Sequence, residues 1–422
     1  MSCFVFQVNP IVIPEEINLK RREPRKPHKK DSNYDLEFDY KTFSYDIFKS
    51  ENKLVFSGPP INGLEAIIKK GKFFINGNLI SNNKINIEKI DRACRLSIHF
   101  PSEIKKFTLV YNELCFEIKE NFQCYHDLFL NKKVLLTKSK NNNLRWIHDW
   151  IEFYKSVHDI NSVIIYDNNS DQYSIEDLKN YLSDINIDIF IIPWNFKFGP
   201  IDAPFDSDFC QYGILEHAKE CFLAKAAGVI QVDVDELIFS KTGRTVFDAL
   251  KETPYLKLKG EWIEPIPYRE DLGINFNNFY YRSKKLVETT KKWCIDPRNT
   301  PKFSQWRVHD VNNCQNVQYS EEFYHLHYKI ISTNWRWNRS TNCEYNKNEH
   351  YFDQNLFEII TNILPINKND SVSTTIQIPK IEIENQIESE IRKKSILVTN
   401  HIKPQKISFL RQCLGIFTNR SS

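Results

Sequence analysis

The feature that most constrains this fold is a regular alternation of strand-like and helix-like segments that begins near Lys132. Continuous apolar runs, of the kind buried on both faces of a sheet, predict four strands in VLLTKS, SVIIYDNNS, IDIFIIPW and VIQVDVDELIF. Helix-like segments separate these runs. Strands that alternate with helices predict an α/β domain, with a mainly parallel sheet and helices on both of its faces.

The helices between these strands have their own markers. From Arg145 to His158, apolar residues recur at helical spacing and form one face of a predicted helix. Ser174 and Asp177 have the spacing of a capping box, so a second helix should begin there. We predict a third helix from about Gln211 to Ala227, ended by Gly228.

The chain is long enough for more than one domain, because its 422 residues exceed the usual size of one. Up to residue 131, short alternating stretches with Gly and Asn between them predict a β-rich accessory domain. Residues 132–366 form the predicted α/β domain, and residues 367–422 a polar linker followed by a basic tail. Residues 20–30 carry seven Lys or Arg, which predicts a solvated loop; contact with an anionic lipid or polymer is the alternative.

The composition narrows the class of protein. Fifty-seven Lys and Arg against 54 Asp and Glu leave a net charge of +3, too balanced for a dedicated nucleic-acid binder. We find no apolar run of the roughly 18 residues that a membrane span needs, and the first charges follow the N-terminal apolar stretch, unlike a secretory signal. Ten scattered cysteines favour reduced thiols, so we expect a cytoplasmic protein.

Acidic residues follow two of the predicted strands. The apolar run SVIIY leads into Asp167, and the run VIQV leads into Asp233 and Asp235. The carboxyl ends of parallel strands share one edge, so these acids should meet there, and alternation should point Asp233 and Asp235 the same way. Paired carboxylates at a poorly solvated edge favour a hard divalent cation, Mn²⁺ or Mg²⁺. The alternative is that they cap a strand or the following helix.

A second polar segment, YHLHYKIISTNWRWNRS, follows further along the chain. Strand alternation puts His325 and His327 on one face, where an imidazole can complete a metal site. Lys329 and Arg336 have the charge to neutralise phosphate oxygens. The alternative for either histidine is a purely structural role.

Taken in order, these motifs resemble those of GT-A glycosyltransferases of the family 92 and family 2-like type. The resemblance spans roughly Val134 to Arg339 and includes TKSKNNNLRWIHDWIEFY, VDVDELIF, WCIDP, WRVHDV and LHYKIISTNWRWNR. It implies a GT-A (Rossmann-like) fold, a nucleotide-sugar donor, a divalent metal and transfer to a sugar acceptor.

The resemblance also implies roles for single residues. Asp167 takes the position that reads the donor base or ribose, and Asp233 and Asp235 form the DxD motif that holds the metal and the donor. His327 matches a further metal or diphosphate ligand, with the donor-binding residues Lys329 and Arg336 nearby. Gln211 and His217 match a helix behind the site, and His309 a histidine after the WCIDP-like strand. Asn141, Asn142 and Asn143 replace the family's usual Arg-Asn-Glu-like turn.

An inverting transferase also needs a carboxylate that deprotonates the acceptor hydroxyl. Glu264 and Asp310 are the candidates. Glu264 is preferred because its apolar neighbours would raise its pKa. For either acid, the alternative is a surface or loop carboxylate without a catalytic role.

These expectations combine into one function with two rivals. The first is a metal-dependent glycosyltransferase that moves a sugar from a nucleotide-sugar, most simply a UDP-sugar, to a glycan or lipid-linked glycan in bacterial surface polysaccharide or lipooligosaccharide synthesis. Its basic tail would contact the inner face of the cell membrane. One rival is a Mg²⁺-dependent nucleotidyl or phosphoryl transferase, although TKSKNNN lacks a Gly-rich phosphate loop. The other is a non-catalytic carbohydrate-binding protein. The sugar, the linkage and the anomeric outcome stay open.

Overall fold

The computed structural model describes residues 3–200, 205–314, 317–333 and 343–365 of the chain. Met1–Asn367 form one compact unit. In chain order, the strands are β1 Cys3–Val5, β2 Ile11–Val12, β3 Thr42–Ser44, β4 Asp46–Ser50, β5 Lys53–Gly58, β6 Lys72–Ile75, β7 Asn78–Ile80, β8 Ile85–Ile90, β9 Ala93–His99, β10 Phe107–Tyr111, β11 Leu114–Ile118, β12 Lys133–Ser139, β13 Ser162–Asp167, β14 Asp188–Pro193, β15 Gly228–Gln231, β16 Glu236–Ser240, β17 Tyr255–Ile263, β18 Tyr281–Ser283, β19 Glu288–Ile295, β20 Tyr319–Tyr328 and β21 His350–Phe352.

The α-helices are α1 Tyr34–Glu37, α2 Glu65–Lys70, α3 Leu144–His158, α4 Ile175–Tyr181, α5 Phe209–His217, α6 Val246–Leu250 and α7 Gln354–Ile363. A π-helical turn, Ala218–Phe222, follows α5 directly. Short 3₁₀ turns occupy Pro27–Lys29, Asn82–Lys84, His126–Phe129, Leu223–Lys225, Glu270–Leu272 and Phe276–Asn278.

A mixed central sheet organises the unit, with strand order β1-β14-β13-β12-β15-β19-β17-β20-β16. The first five of these strands run parallel to one another. β19 is antiparallel to both β15 and β17, β20 is parallel to β17, and β16 closes the sheet antiparallel to β20. The prediction of an α/β fold with a mostly parallel sheet is therefore confirmed, and its second half is more mixed than the sequence pattern indicated.

Alternation along the parallel strands places two apolar layers on opposite faces of the sheet. Leu135, Val163 and Ile165 belong to the core that also contains the buried residues of α3. Their neighbours Leu136 and Ile164 belong to the other core, which contains residues of α5 and of the π-helical turn. Helices thus pack on both faces, and this explains the continuous apolar runs VLL in β12, VIIY in β13 and IFII in β14.

The local signals for α3 and α4 hold in the structure. α3 begins at Leu144, where the Asn143 side chain accepts a hydrogen bond from the Arg145 amide. It ends at Asp159, which adopts a left-handed conformation with φ of 54°. Ser174 and Asp177 form the predicted reciprocal capping box at the start of α4.

The predicted helix from Gln211 to Ala227 is wrong in its second half. α5 ends at His217, and the chain continues through the π-helical turn and a 3₁₀ turn. Gly228 does not stop a helix but begins β15. A Cβ at Gly228 would lie 2.7 Å from Phe247 of α6, so glycine is needed there for close packing of strand and helix.

The prediction that VIQVDVDELIF is a single strand is also wrong. β15 ends at Gln231, a turn spans Asp233 to Asp235, and β16 begins at Glu236 on the far edge of the sheet. The Asp233 amide donates to the Glu236 carboxylate at 3.1 Å, and the Glu236 amide donates to the Asp233 carbonyl at 3.1 Å. These two bonds close the turn, so the alternation argument for Asp233 and Asp235 does not apply.

The region before residue 131 is rich in strands, as expected. It contains two four-stranded sheets, β4-β5-β9-β8 and β11-β10-β6-β7, and the pair β2-β3. β1, in contrast, joins the central sheet beside β14. The region lies within the compact unit Met1–Asn367, and the domain boundary at residue 131 stays a prediction.

Ion pairs join this N-terminal region to α5 and the π-helical turn. Arg95 on β9 donates from Nε to Glu216 at 2.9 Å, and its Nη2 lies 2.9 Å from Glu220. Arg92 contacts Asp208 at 2.7 Å and lies 4.2 Å from the centre of the Tyr212 ring. α5 is therefore held between the N-terminal sheets and the central sheet.

The basic stretch at residues 20–30 is not simply a solvated loop. Arg21 is fully buried and donates to the carbonyl oxygens of Asp39, Pro60 and Thr42. Arg25 is also buried and pairs with Asp206 at 3.0 Å. The charge run concealed these roles because composition does not distinguish an arginine that binds carbonyl groups from one that faces water.

Two expectations concern membranes. None of the helices in the described ranges is both long and apolar enough to span a bilayer. The linker and basic tail at residues 367–422 lie outside the described residues, and contact of this tail with a membrane stays a prediction.

Substitution of Arg95 by Met should destabilise the protein by about 3 kcal/mol, because it leaves the buried Glu216 carboxylate without its guanidinium partner. Lys119→Met, at an exposed pair with Glu117, should have a far smaller effect, because solvent screens this pair. Urea unfolding measures both. The double variant Arg95→Met/Glu216→Leu should recover part of the loss, and equal losses in the two single variants would contradict the assignment.

Candidate functional site

The turn from Asp233 to Asp235 lies at the carboxyl end of β15, beside the end of β12. The strand pairings bring β17, β19 and β20 past the same turn, so residues distant in sequence meet there. This is the edge of a parallel sheet where ligands bind in α/β proteins. We call the residues that contact this turn the edge cluster: Asp233, Asp235, Glu236, Lys292 and His327.

Lys292 is the cation of the edge cluster. Its ammonium lies 2.5 Å from Asp233 and 2.8 Å from Glu236, and the side chains of Lys292 and Glu236 are fully buried. Burial would lower the pKa of Lys292, but the two carboxylates raise it well above its ordinary value. Burial likewise opposes ionisation of Asp233, but the Lys292 ammonium holds the pKa of this acid below its ordinary range.

The carboxylate of Glu236 is the other buried charge. Burial raises its pKa, against the opposing effect of Lys292. One of its oxygens accepts from Lys292 and from the Asp233 amide. The other oxygen lies 3.4 Å from Nδ1 of His327. Glu236 thus fixes both the turn and the histidine behind it.

Asp235 and His327 form the second bonded pair of the edge cluster. Nε2 of His327 lies 2.9 Å from the Asp235 carboxylate, and the Thr289 hydroxyl lies 3.0 Å from Nδ1. The Trp262 ring stacks on the imidazole, with 4.3 Å between ring centres. These contacts fix the orientation of the imidazole, and 18% of the Asp235 side chain is exposed.

Glu264 and Lys329 are the residues directly after the ends of β17 and β20. Trp262 pairs with His327 in the register of β17 and β20, which places Glu264 opposite Lys329. The Lys329 ammonium donates to the Glu264 carboxylate at 2.6 Å and lies 5.6 Å from the centre of the Trp262 ring. Glu264 is buried, and its immediate polar partner is the Lys329 cation.

His325 is buried beside the edge cluster. In the described structure, neither ring nitrogen has a hydrogen-bond partner, and Nε2 lies 3.7 Å from Glu236. Burial and the nearby Lys292 lower the pKa of His325 well below its ordinary value, so the ring is neutral. Gly260 makes room for it, since a Cβ there would lie 2.2 Å from Nε2 of His325.

Asp167 lies at the same edge but outside the edge cluster. Its carboxylate accepts from the Ser170 amide at 3.0 Å and from the Ser170 hydroxyl at 2.6 Å, and burial raises its pKa. β13 is separated from β15 by β12, so Asp167 and Asp233 are about 10 Å apart at the usual strand spacing. Asn141 also bonds to Ser170, which ties the atypical Asn turn to this loop.

A narrow cavity lies between β12, α5 and the end of β15, next to Asp233. Its lining residues include Lys138, Gln211, Gln231 and Asp233. Lys138 lies 4.5 Å from the centre of the Phe198 ring, and its charge also lowers the pKa of Asp233. The side-chain amide oxygen of Gln231, Oε1, is buried without a hydrogen-bond partner in the described part of the chain.

The remaining predicted residues are not brought into the cluster. The Asp310 side chain is 52% exposed, with its carboxylate 3.9 Å from Arg307. His309 donates from Nδ1 to the Lys291 carbonyl at 3.1 Å. Arg336 lies outside the described residues. The structure thus brings together Asp233, Asp235, His327, Lys329 and Glu264 along one edge.

Sequence reasoning missed Lys292, Glu236, Thr289 and Lys138. Two signals were available. Glu236 directly follows the DxD motif, and Lys292 is a charged residue next to the apolar stretch WCI. Neither signal shows that Lys292 contacts Glu236, because the pairing of β15, β16, β19 and β20 depends on residues far apart in the sequence.

Some of the potential metal-ligand atoms at the predicted site have a spacing that suits a divalent cation. Octahedral ligands at about 2.0–2.1 Å are about 3 Å apart when adjacent. The 2.9 Å between Asp235 and His327 fits such a pair. Asp233 is 40% exposed at the same turn, although one of its oxygens is bonded to Lys292. Asp235 and His327 would hold the ion, with Asp233 beside them.

A different group, buried behind the sheet, has the tightest set of potential ligands. Within the described residues, ligand atoms of Asp46, His217 and Cys221 lie within 4.8 Å of one another. His217, however, is already bonded to Asp46 and to the Tyr166 hydroxyl, each at 2.8 Å. We interpret this group as a hydrogen-bonded network that connects β4, β13 and α5, which agrees with the prediction that His217 packs behind the site.

Comparisons with known proteins add little to this geometry. The chain matches no protein-family model and no curated protein. The mannosyltransferase Ktr4p from S. cerevisiae is 12% identical, with a TM-score of 0.22 over 36% of this chain and 44% of that chain. Core-mannan synthase A (CmsA/Ktr4) from Aspergillus fumigatus, in a Mn/GDP form, is 7% identical, with a TM-score of 0.23 over 37% and 56%.

The galactosyltransferase LgtC, in complex with donor and acceptor sugar analogues, is 14% identical, with a TM-score of 0.21 over 42% of this chain and 60% of that chain. In all three cases the match covers less than two thirds of the other chain. TM-scores this low do not establish a shared fold. Membership of glycosyltransferase family 92 therefore stays a prediction from the motifs.

Gly260→Ala should destabilise the protein by about 1–3 kcal/mol, because the added methyl group overlaps the buried His325 ring. The double variant Gly260→Ala/His325→Ser should lose less than the sum of the two single variants, since a smaller side chain admits the methyl group. Urea unfolding of the four proteins measures this coupling. Strictly additive losses would show that the two residues do not compete for space.

Proposed function

We propose that this protein is a metal-dependent glycosyltransferase that uses a nucleotide-sugar donor. The observation that carries the proposal is the Asp233 to Asp235 turn at the carboxyl end of a parallel strand, with Asp235 bonded to His327. This arrangement offers carboxylate and imidazole ligands beside a cavity that contains Lys138. Strand ends of this kind are where α/β proteins bind nucleotides.

Asp235, His327 and Asp233 would hold Mn²⁺ or Mg²⁺. When bound, the ion would supply positive charge for a leaving diphosphate. Lys292 holds Asp233 in its charged form, and Glu236 supports the turn from behind. Removal of these buried partners would misplace the carboxylates by more than the tolerance of a metal or diphosphate site.

Other residues of the edge would bind the donor and the acceptor. Lys138, beside Asp233, has the charge for a phosphate oxygen. Asp167, about 10 Å away across β12, is placed for a ribose or base. Trp262 offers an aromatic surface of the type on which sugar rings stack.

Glu264 is the preferred general base in this proposal. It lies on the same edge as His327 and is ion-paired with Lys329. A carboxylate at this position would accept the proton of the acceptor hydroxyl as the new bond to the sugar carbon forms. Asp310, which is half-exposed and bonded within its own loop, is the second choice.

The finer parts of the proposal rest on the motif resemblance. These are the UDP-sugar donor, a glycan or lipid-linked glycan acceptor, a role in surface polysaccharide or lipooligosaccharide synthesis, and a cytoplasmic location at the inner face of the membrane. The nucleotidyl or phosphoryl transferase remains the rival enzyme. The loop from Lys140 to Asn143, between β12 and α3, has no glycine for a phosphate-binding turn.

Asp235→Asn should weaken Mn²⁺-dependent nucleotide binding by about 10- to 100-fold, because it removes a ligand and one negative charge. Calorimetric titration with UDP, GDP and CMP, with and without Mn²⁺, measures the effect. His327→Ala should show a smaller loss. Glu117→Gln, on β11 of the N-terminal region, is the matched control and should bind as the native protein does. Metal-independent binding that survives Asp235→Asn would refute the proposed site.

Glu264→Gln should lower the rate of sugar transfer by at least about 100-fold and leave nucleotide affinity unchanged, because it removes the proton acceptor but not the metal ligands. The rate is measured as acceptor-dependent release of the nucleotide that calorimetry identifies. Asp310→Asn should retain activity. The reverse result would move the role of base to Asp310, and loss of nucleotide binding in Glu264→Gln would contradict a purely catalytic role.

A further inference from the structure

A short segment between β11 and β12, Gln123 to His126, is held firmly against the π-helical turn Ala218–Phe222. The Tyr125 amide donates to the Cys221 carbonyl at 2.7 Å, and the rings of Tyr125 and Phe222 stack with 5.2 Å between their centres. Gln123 also forms a β-bridge with Lys49. The backbone that carries Cys124 and His126 is therefore fixed from two sides.

Contact with the π-helical turn determines the orientation of His126. Its Nε2 lies 2.8 Å from the Glu220 carbonyl oxygen, which can only accept a hydrogen bond. Nε2 must therefore carry a hydrogen. In the neutral ring Nδ1 is then the proton acceptor, and Nδ1 lies 3.8 Å from Sγ of Cys124. A thiol faces the basic nitrogen of an imidazole whose other nitrogen is already bonded.

The charges around this pair favour proton transfer from sulfur to nitrogen. Burial alone would raise the pKa of Cys124, but the hydrogen bond and charge of His126 outweigh it, so the pKa lies below its ordinary value. Burial would lower the pKa of His126, but Cys124 and Glu220 raise it. Asp127 acts against the thiolate, yet its carboxylate is bonded to Lys225 at 2.6 Å.

Other cysteines of the described chain lack this environment. Burial raises the pKa of the Cys3 thiol to about 11 and that of Cys94 to about 12. Cys221, behind the same turn, is buried and its pKa is raised well above its ordinary value by burial and by Asp46. Cys115 is exposed on β11 and provides an internal reference thiol.

We propose that Cys124 and His126 form a reactive thiolate and imidazolium pair, and that Cys124 is a modification site for soft electrophiles, with peroxides as the natural class. With hydrogen peroxide, the sulfur attacks one oxygen, the O–O bond breaks and a sulfenic acid forms. The departing hydroxide takes the proton of the His126 imidazolium and leaves as water. Cys124 loses two electrons and the peroxide gains them. This inference is independent of the proposed function.

Site-resolved alkylation of the full-length protein tests the pair. The protein is treated with iodoacetamide between pH 5.5 and pH 9, and mass spectrometry follows each cysteine peptide separately. At pH 6.5 Cys124 should react about fivefold faster than Cys115, since its larger thiolate fraction outweighs the lower nucleophilicity of a more acidic thiol. Its rate should also reach half its maximum at a lower pH than that of Cys115.

The matched variant is His126→Gln, which keeps a donor for the Glu220 carbonyl but cannot hold a proton as imidazolium does. In this variant the pH at which Cys124 reaches half its maximal rate should rise to or above that of Cys115. The rate of sulfenic acid formation with hydrogen peroxide should fall by about the same factor as the rate of Cys124 alkylation at pH 6.5. The unchanged rate of Cys115 in the variant controls for folding. Equal pH midpoints of Cys124 and Cys115 in the native protein would overturn the proposal without recourse to the variant.

Discussion

The buried ammonium of Lys292 is the interaction on which the carboxyl edge of the sheet depends. It compensates the fully buried carboxylate of Glu236 and the partly exposed carboxylate of Asp233. A buried charge without a partner costs several kcal/mol, so Lys292 and Glu236 require one another. The hydrogen bonds of Glu236 then set the shape of the turn, and the turn places Asp235 against His327. The candidate metal ligands Asp235 and His327 are therefore positioned by the buried ion pair of Lys292 and Glu236.

A second consequence of the topology is that the edge is assembled from distant parts of the chain. The turn after β15 brings Asp233 and Asp235, β16 brings Glu236, β19 brings Lys292, and β20 brings His327. α5 supplies Gln211 to the neighbouring cavity and is itself anchored by Arg95 of the N-terminal sheets. The N-terminal region is therefore connected to the edge through α5, although it contributes no side chain to the cluster.

The sequence correctly predicted the strands and helices that are determined by interactions between residues close together in the chain. The spacing of apolar residues predicted the strands at Val134 and Ser162 and the helix from Arg145. Side-chain hydrogen bonds to the backbone define the capping box at Ser174. The resemblance implies that His327 is a further ligand beside the DxD motif, and His327 contacts Asp235, but Lys292 and Glu236 were not predicted, since a burial pattern does not reveal the pairing partner. The same limit explains why VIQVDVDELIF was predicted as one strand. An apolar run indicates that a segment is buried, but it does not indicate which strands the segment pairs with. The π-helical turn after His217 has no signal of this kind.

The separation of β15 from β16 has a consequence for synthesis of the chain. β15 lies in the middle of the sheet, whereas β16, five residues later, lies at the edge and pairs only with β20. β20 begins at Tyr319, about 80 residues after β16 ends at Ser240. At about 5–20 residues per second, β16 waits roughly 4–16 s on the ribosome for its partner. During that interval its apolar side chains, Leu237, Ile238 and Phe239, lack the β20 residues beside them and can be covered by α3, which shares their core and is synthesised earlier.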